Sequence, residues 1–102
     1  MNKKASRWND RRTTKSSGNV FLDLGFDEAE AQVLAMRTEL MVRLDRHLAT
    51  QGWTQAEAAQ RLGVSQPRIS KLKKGAWQEF SLDMLLTFAA RLGLRPKLKL
   101  AA

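Results

Sequence analysis

The chain has 102 residues, a mass of 11.5 kDa and a formal net charge of +8, from 18 basic and 10 acidic side chains. This length suits one domain at the usual ~100–200 residues per domain, which excludes a multi-domain enzyme. The basic excess favours polyanionic partners, with nucleic acid first and an anionic membrane surface second. The sequence has no cysteine and no apolar run of ~18 residues, so it predicts no disulfide, no thiolate metal site and no membrane span. It also shows no signal peptide, and we therefore expect a soluble, cytoplasmic protein.

The charge is distributed unevenly along the chain. Residues 1–15 contain six basic side chains and one acidic one, residues 16–60 contain three basic and seven acidic ones, and residues 61–102 contain nine basic and two acidic ones. The first stretch is polar and has no helical or strand period, so we predict a disordered basic tail over residues 1–18. This tail either enters a DNA minor groove or adds only nonspecific attraction. A single domain is predicted over residues 19–102, with the polyanion-binding surface in residues 61–102.

A long first helix is predicted after Asp27. This residue and Glu30 have the spacing of a capping box, and Gly52 provides the stop. Apolar residues recur between them at steps of three and four, at Val33, Met36, Leu40, Leu44 and Leu48. A helix of roughly 25 residues spans ~37 Å, which exceeds the size of a small core. We therefore expect its N-terminal half to pack against something else.

Three shorter helices follow, each predicted to begin at a Ser or Thr N-cap and to end at a glycine. The predicted caps and stops are Thr54 and Gly63, Ser65 and Gly75, and Ser81 and Gly93. After the last of these, the apolar period changes to two, which predicts a β-strand over residues 94–100 with leucines on one side and basic residues on the other. A strand needs a partner. The candidates are the segment Asn19–Leu24, the same strand of a second copy, and a sheet edge of another protein.

Residues 54–75 have the layout of a helix-turn-helix. Ala59 is small enough for close helix approach, Gly63 supplies the turn, and Ile69 and Leu72 attach the second helix to the core. An αα-hairpin without DNA binding shares some of this spacing. The second helix nevertheless carries four basic side chains and no acidic one, which favours DNA.

Helical geometry separates the polar residues of this segment into two predicted roles. Glutamine can bond an adenine edge, arginine a guanine edge, and a proline ring can contact a thymine methyl group. The predicted base-reading residues are Gln66, Pro67, Arg68, Ser70 and Lys71. The predicted phosphate-contacting residues are Thr54, Gln55, Ser65, Lys73 and Lys74. The sequence predicts no catalytic residue, no metal ligand, no cofactor and no enzyme, since the single histidine, His47, has no carboxylate on its helix face.

The motif Thr-Gln-x-Glu-x-Ala, followed by the turn, Ser-Gln-x-x-Ile-Ser-x-Leu and Lys-x-Gly, resembles that of lambda-repressor-like (Cro/XRE) helix-turn-helix proteins. The resemblance implies a mainly α, lambda-repressor-like bundle, here with a long first helix and a short C-terminal β-strand. Over residues 16–100 the layout also resembles the XRE-family antitoxins of HigA type. That likeness implies a homodimer that represses its own operon at double-stranded operator DNA and neutralises a small RelE-superfamily messenger-RNA interferase, the toxin of a HigBA-type operon.

Two other functions are compatible with the sequence. A stand-alone XRE-family regulator would have the same helix-turn-helix without a toxin partner. A general nucleic-acid chaperone driven by the basic tail would bind without sequence preference and with high salt sensitivity. The acidic stretch from Asp23 to Glu30 either complements a helix dipole or meets a basic ribonuclease, and the sequence leaves both interpretations open.

Overall fold

A computed structural model describes residues 18–102, and the basic tail predicted before them lies outside the described residues. Residues 18–102 form five α-helices and no strand. In chain order they are α1 (Val20–Asp23), α2 (Glu28–Gln51), α3 (Gln55–Leu62), α4 (Gln66–Lys73) and α5 (Leu82–Arg91), with a 3-10 turn at Trp77–Glu79 between the last two. Two compact units are present, the first ending at Ala35 and the second comprising Met36–Ala102. The predicted mainly α class is confirmed.

In the first unit, the segment suggested as a partner strand for residues 94–100 forms a helix, α1. Asn19 caps α1, because its Oδ1 accepts a hydrogen bond from the backbone N–H of Phe21 at 2.9 Å. Its Nδ2 donates to the carbonyl oxygen of Ala31 at 3.1 Å, which joins the cap to α2. The ring of Phe21 meets that of Phe26 edge-on, with centroids 6.0 Å apart. The interpretation of Asn19–Leu24 as a strand is therefore wrong, since this cap favours a helical turn.

The long helix α2 begins where the sequence predicted. Asp27 Oδ1 accepts from the backbone N–H of Glu30 at 2.8 Å, which satisfies one of the free donors at the helix start. Its predicted apolar stripe is only partly correct. Leu44 and Leu48 are buried, whereas Val33 and Met36 are each 43% exposed. The predicted stripe included residues from two different faces of the helix. The apolar side chains of α2 that are buried are Ala31, Leu34, Met41, Leu44 and Leu48.

The second unit has one apolar core. The buried side chains come from all four of its helices and from the segment between α4 and α5. They are Met41, Leu44, Leu48, Ala58, Ala59, Leu62, Ile69, Leu72, Phe80, Leu85, Phe88 and Ala89. The predicted Ser and Thr caps are confirmed, because the side-chain oxygens of Thr54, Ser65 and Ser81 each accept a backbone N–H three residues later. These caps fix where α3, α4 and α5 begin and thus the length of the turn between α3 and α4.

The C-terminal segment differs from its prediction. Residues 94–102 have no regular secondary structure, and their leucines lie in solvent, with Leu98 75% and Leu100 87% exposed. A single strand has no ladder of its own. Residues 18–102 contain no strand that could pair with this segment, because the partner that the sequence suggested within the chain, Asn19–Leu24, contains helix α1. The strand predicted over residues 94–100 is thus not formed in the single chain.

Candidate nucleic-acid interface

Local hydrogen bonds and a glycine fix where helix α3 begins and ends. Thr54 and Glu57 form a capping box, with the Glu57 N–H donating to Thr54 Oγ1 at 3.1 Å and the Thr54 N–H donating to Glu57 Oε1 at 2.8 Å. At the other end Gly63 adopts φ +74°, in the left-handed region. The guanidinium of Arg91 in α5 donates to the Leu62 carbonyl oxygen at 2.6 Å. A cation thus meets the negative end of the α3 dipole and holds α3 to α5.

Helix α4 presents one face to solvent and one to the core. Ile69 and Leu72 are 1% and 2% exposed, as the predicted attachment to the core requires. Gln66, Pro67 and Lys71 are exposed and Ser70 is half-buried. Pro67 occupies the first turn of α4, where its missing N–H leaves no helix bond unmade. Polar groups able to reach base edges therefore occupy the side of α4 away from the core.

Arg68, one of the predicted base-reading residues, makes contacts within the protein. Its Nη2 donates to the Glu79 carbonyl oxygen at 2.9 Å and lies 3.1 Å from the sulfur of Met84. Its Cζ also lies 4.9 Å from the centroid of the Phe80 ring, in cation–π geometry. The side chain is half-buried. Its guanidinium is thus directed at the segment between α4 and α5 in the free protein.

The lysines of α4 and its C-cap, Lys74, differ in their surroundings. Lys71 Nζ lies 3.2 Å from Glu79 Oε1, and Lys73 Nζ lies 3.2 Å from Asp45 Oδ1 on α2. The side chains of both pairs are 38–49% exposed, and such surface ion pairs stabilise by only ~0–1 kcal/mol. Within residues 18–102 Lys74 forms no ion pair. Phosphates can therefore replace the carboxylates at Lys71 and Lys73, and Lys74 meets no competing carboxylate.

The predicted phosphate contacts at the helix starts are exposed. Gln55 is the first residue of α3, next to the capping Thr54, and Ser65 caps α4. The hydroxyl oxygens of Thr54 and Ser65 accept backbone N–H groups, which leaves each hydroxyl hydrogen as a donor. Together with the positive ends of the helix dipoles, these groups suit anionic oxygens.

The sequence did not predict which residues of the chain contact α4 from the segment that follows it. Glu79, Phe80 and Met84 all contact Arg68, and Glu79 also contacts Lys71. One signal for this arrangement is present in the sequence. Arg68 precedes Leu72 by four residues, so helical periodicity puts it beside the buried stripe and away from the centre of the exposed face.

A family model described as a helix-turn-helix domain matches residues 20–100. The chain belongs to this helix-turn-helix family. Its membership supports the resemblance to Cro/XRE proteins and indicates a DNA-binding regulator. No curated protein matches the chain.

Residues 18–102 contain no group of three or more histidine, aspartate or glutamate side chains arranged to hold a metal ion. None of the helices in this part of the chain combines the length and the apolar character needed to cross a bilayer.

Proposed function

We propose that the protein is a sequence-specific transcriptional repressor that inserts α4 into the DNA major groove. The observation that carries this proposal is the exposed face of α4, where Gln66, Pro67 and Ser70 lie beside Lys71 and Lys74. This face has hydrogen-bonding groups suited to base edges, and α4 contains cations and no carboxylate to repel phosphates. Bound at an operator that overlaps a promoter, the protein would exclude the polymerase.

The residues divide into two roles in this proposal. Gln66, Pro67, Ser70 and Lys71 face base edges and confer specificity. Thr54, Gln55, Ser65, Lys73 and Lys74 contact the phosphate backbone and set the register of α4 in the groove.

We propose further that the repressor acts as a homodimer. The leucines of residues 94–100 are exposed and alternate with Arg95, Lys97 and Lys99. Pairing this segment with its counterpart in a second copy would form the predicted strand and cover the leucines. Two α4 helices would then meet half-sites about one DNA turn apart, ~34 Å.

Selection from a randomised double-stranded DNA library tests this function. We expect the full-length protein to enrich a motif of two related half-sites, and Gln66→Ala to lose preference at one base pair in each of them. An enriched motif with a single half-site would contradict the dimer. Equal binding to all sequences, with steep salt dependence, would contradict the repressor and favour a nucleic-acid chaperone.

The surface of the first unit favours a second role, that of the antitoxin in a HigBA-type operon. Residues 18–35 contain four carboxylates and no basic side chain. Beside these carboxylates, Val20 and Leu24 of the α1 segment are 58% and 65% exposed. An acidic surface with exposed apolar groups repels DNA and suits a basic protein, such as a RelE-superfamily messenger-RNA interferase. The alternative is a stand-alone regulator of the XRE family.

Growth of a host that expresses the small open reading frame beside this gene tests the antitoxin role. We expect growth arrest that is relieved by the wild-type protein and by Gln66→Ala, but not by Leu24→Asp. Val42→Asp is the matched control and should still relieve the arrest, because it puts the same carboxylate at a 48% exposed apolar position outside the first unit. Absence of arrest at confirmed expression, or full relief by Leu24→Asp, would contradict the role, and absence of arrest would leave the stand-alone regulator.

A further inference from the structure

The 3-10 turn between α4 and α5 holds the recognition helix at two positions one turn apart. Glu79 accepts from Arg68 with its backbone carbonyl oxygen at 2.9 Å and from Lys71 with its carboxylate at 3.2 Å. The turn is itself tied to α2, since Arg37 Nη1 donates to the Trp77 carbonyl oxygen at 3.3 Å. A short connecting segment thus links α2 to the DNA-facing helix.

The two contacts from α4 differ in strength. The Lys71 side chain is 49% exposed and its partner carboxylate 42%, so water and phosphate compete for the ammonium group. Arg68 is half-buried and has three partners: the Glu79 carbonyl, the Met84 sulfur and the Phe80 ring, which is itself only 1% exposed. Releasing its guanidinium to DNA would break all three contacts, whereas releasing Lys71 breaks one.

The contacts of Arg68 restrict the rotation of α4 about its own axis. The helix has eight residues, and its large buried side chains are Ile69 and Leu72. Because both of these side chains lie on one side of a short helix, they only weakly oppose rotation of the helix about its own axis. Arg68 projects about 100° away from Ile69 around the axis, so it supplies an anchor on the flank. A roll of ~20° would move a group ~6 Å from the axis by about 2 Å, enough to break a hydrogen bond to a base.

We propose that Arg68 is a positioning residue for base recognition and does not read a base itself. By binding the turn at Glu79 and the Phe80 ring, it fixes the rotation of α4 so that Gln66 and Ser70 meet the base edges together. This role rests on the proposed DNA-binding function. It assigns a part in specificity to a half-buried side chain that contacts the protein and not the DNA.

The test compares Arg68→Met with Lys74→Met in the full-length protein. Each substitution removes one positive charge from the end of a side chain and leaves a methionine, but only the first removes the anchor. The motif enriched by the wild type from a randomised duplex library is varied one base pair at a time. Affinities for these duplexes then give a preference profile for each variant, and thermal melting gives the folded fraction.

For Arg68→Met we expect preference to fall about fivefold or more at every base pair that α4 contacts, with an unchanged salt slope because no phosphate contact is lost. For Lys74→Met we expect an unchanged profile and a logarithmic salt slope reduced by ~1. These readouts separate positioning from mere stabilisation, since a smaller folded fraction lowers binding to all sequences equally.

Three outcomes would overturn the proposal. Loss of preference at a single base pair in Arg68→Met would make Arg68 a base-reading residue. An unchanged profile with a lower melting temperature would make it a stabilising residue only. A wild-type protein that enriches no motif would overturn the proposed function itself, and with it this role.

Discussion

The first unit and the helix-turn-helix differ in charge and in what their exposed side chains can bind. Residues 18–35 have four carboxylates and no cation, whereas α4 and its C-cap Lys74 together have four cations and no carboxylate. Val20 of α1 and its C-cap Leu24 are apolar and more than half exposed, while the exposed face of α4 is polar and basic. A single polyanionic partner does not explain both surfaces, because phosphates are repelled by the first and attracted by the second. In the proposed function these two surfaces bind different partners, DNA at α4 and a basic protein at residues 18–35.

The largest expected difference between the two regions is the loss of stability when a leucine in each is replaced by alanine. Leu62 is fully buried in the core of the second unit, and Leu24 is 65% exposed in the first. Leu62→Ala should therefore lower the free energy of unfolding by ~2–5 kcal/mol, and Leu24→Ala should change it by less than ~0.5 kcal/mol. Urea denaturation measures both. A large loss in Leu24→Ala would show that this leucine supports the fold and would remove it from the proposed partner surface.

Two glycines with positive φ offer a matched pair. Gly63 and Gly25 have φ values of +74° and +100°, but an added Cβ would lie 2.9 Å from Arg91 Nη1 at Gly63 and within 4 Å of nothing at Gly25. Alanine costs ~1–2 kcal/mol of backbone strain at either glycine. Gly63→Ala should lose about 1 kcal/mol more, since it displaces the guanidinium from the Leu62 carbonyl. Equal losses in thermal melting would contradict the importance of that contact.

Base recognition should be confined to α4. Gln66→Ala should cost ~1–3 kcal/mol of binding free energy on the selected motif and nothing on random DNA, because only the base contact is lost. Fluorescence anisotropy with the two duplexes measures this. Equal losses on both duplexes would place Gln66 among the phosphate contacts.

The smallest expected effects concern single charges. Lys74→Ala should weaken binding to all sequences similarly and lower the logarithmic salt slope by ~1. Glu28→Gln, which removes one carboxylate from the first unit, should leave both the affinity and the slope unchanged, because the proposed function assigns no DNA contact to this surface. Titrations at several salt concentrations compare the two variants. A strong gain in affinity from Glu28→Gln would show that the acidic residues lie close to the DNA.

Local capping chemistry made most helix boundaries predictable from the sequence. Thr54, Ser65 and Ser81 cap their helices as predicted, because cap bonds form between residues three apart in the chain. The segment Asn19–Leu24 was misinterpreted because its apolar residues allow a strand and a helix alike, and the contact from Asn19 to Ala31 decides between them. Similarly, the strand at residues 94–100 depends on a pairing partner that the described chain does not supply.

The candidate interface was predictable to a similar extent. Periodicity correctly oriented α4, with Ile69 buried and Gln66 exposed. It did not identify the contacts of Arg68, since Glu79 and Met84 approach from 11 and 16 residues away along the chain. Such contacts depend on how the 3-10 turn packs beside α4, and residue spacing alone carries no information about that packing.

NMR titration of the isotopically labelled protein with its selected duplex tests the central claim most directly. We predict that the backbone amide signals of Gln55, Ser65, Gln66 and residues 68–71 shift most, and that those of residues 20–30 stay unchanged. A scrambled duplex of the same length should shift the signals of residues 65–71 less. The largest shifts at residues 20–30, or the same shifts with both duplexes, would contradict sequence-specific recognition by α4.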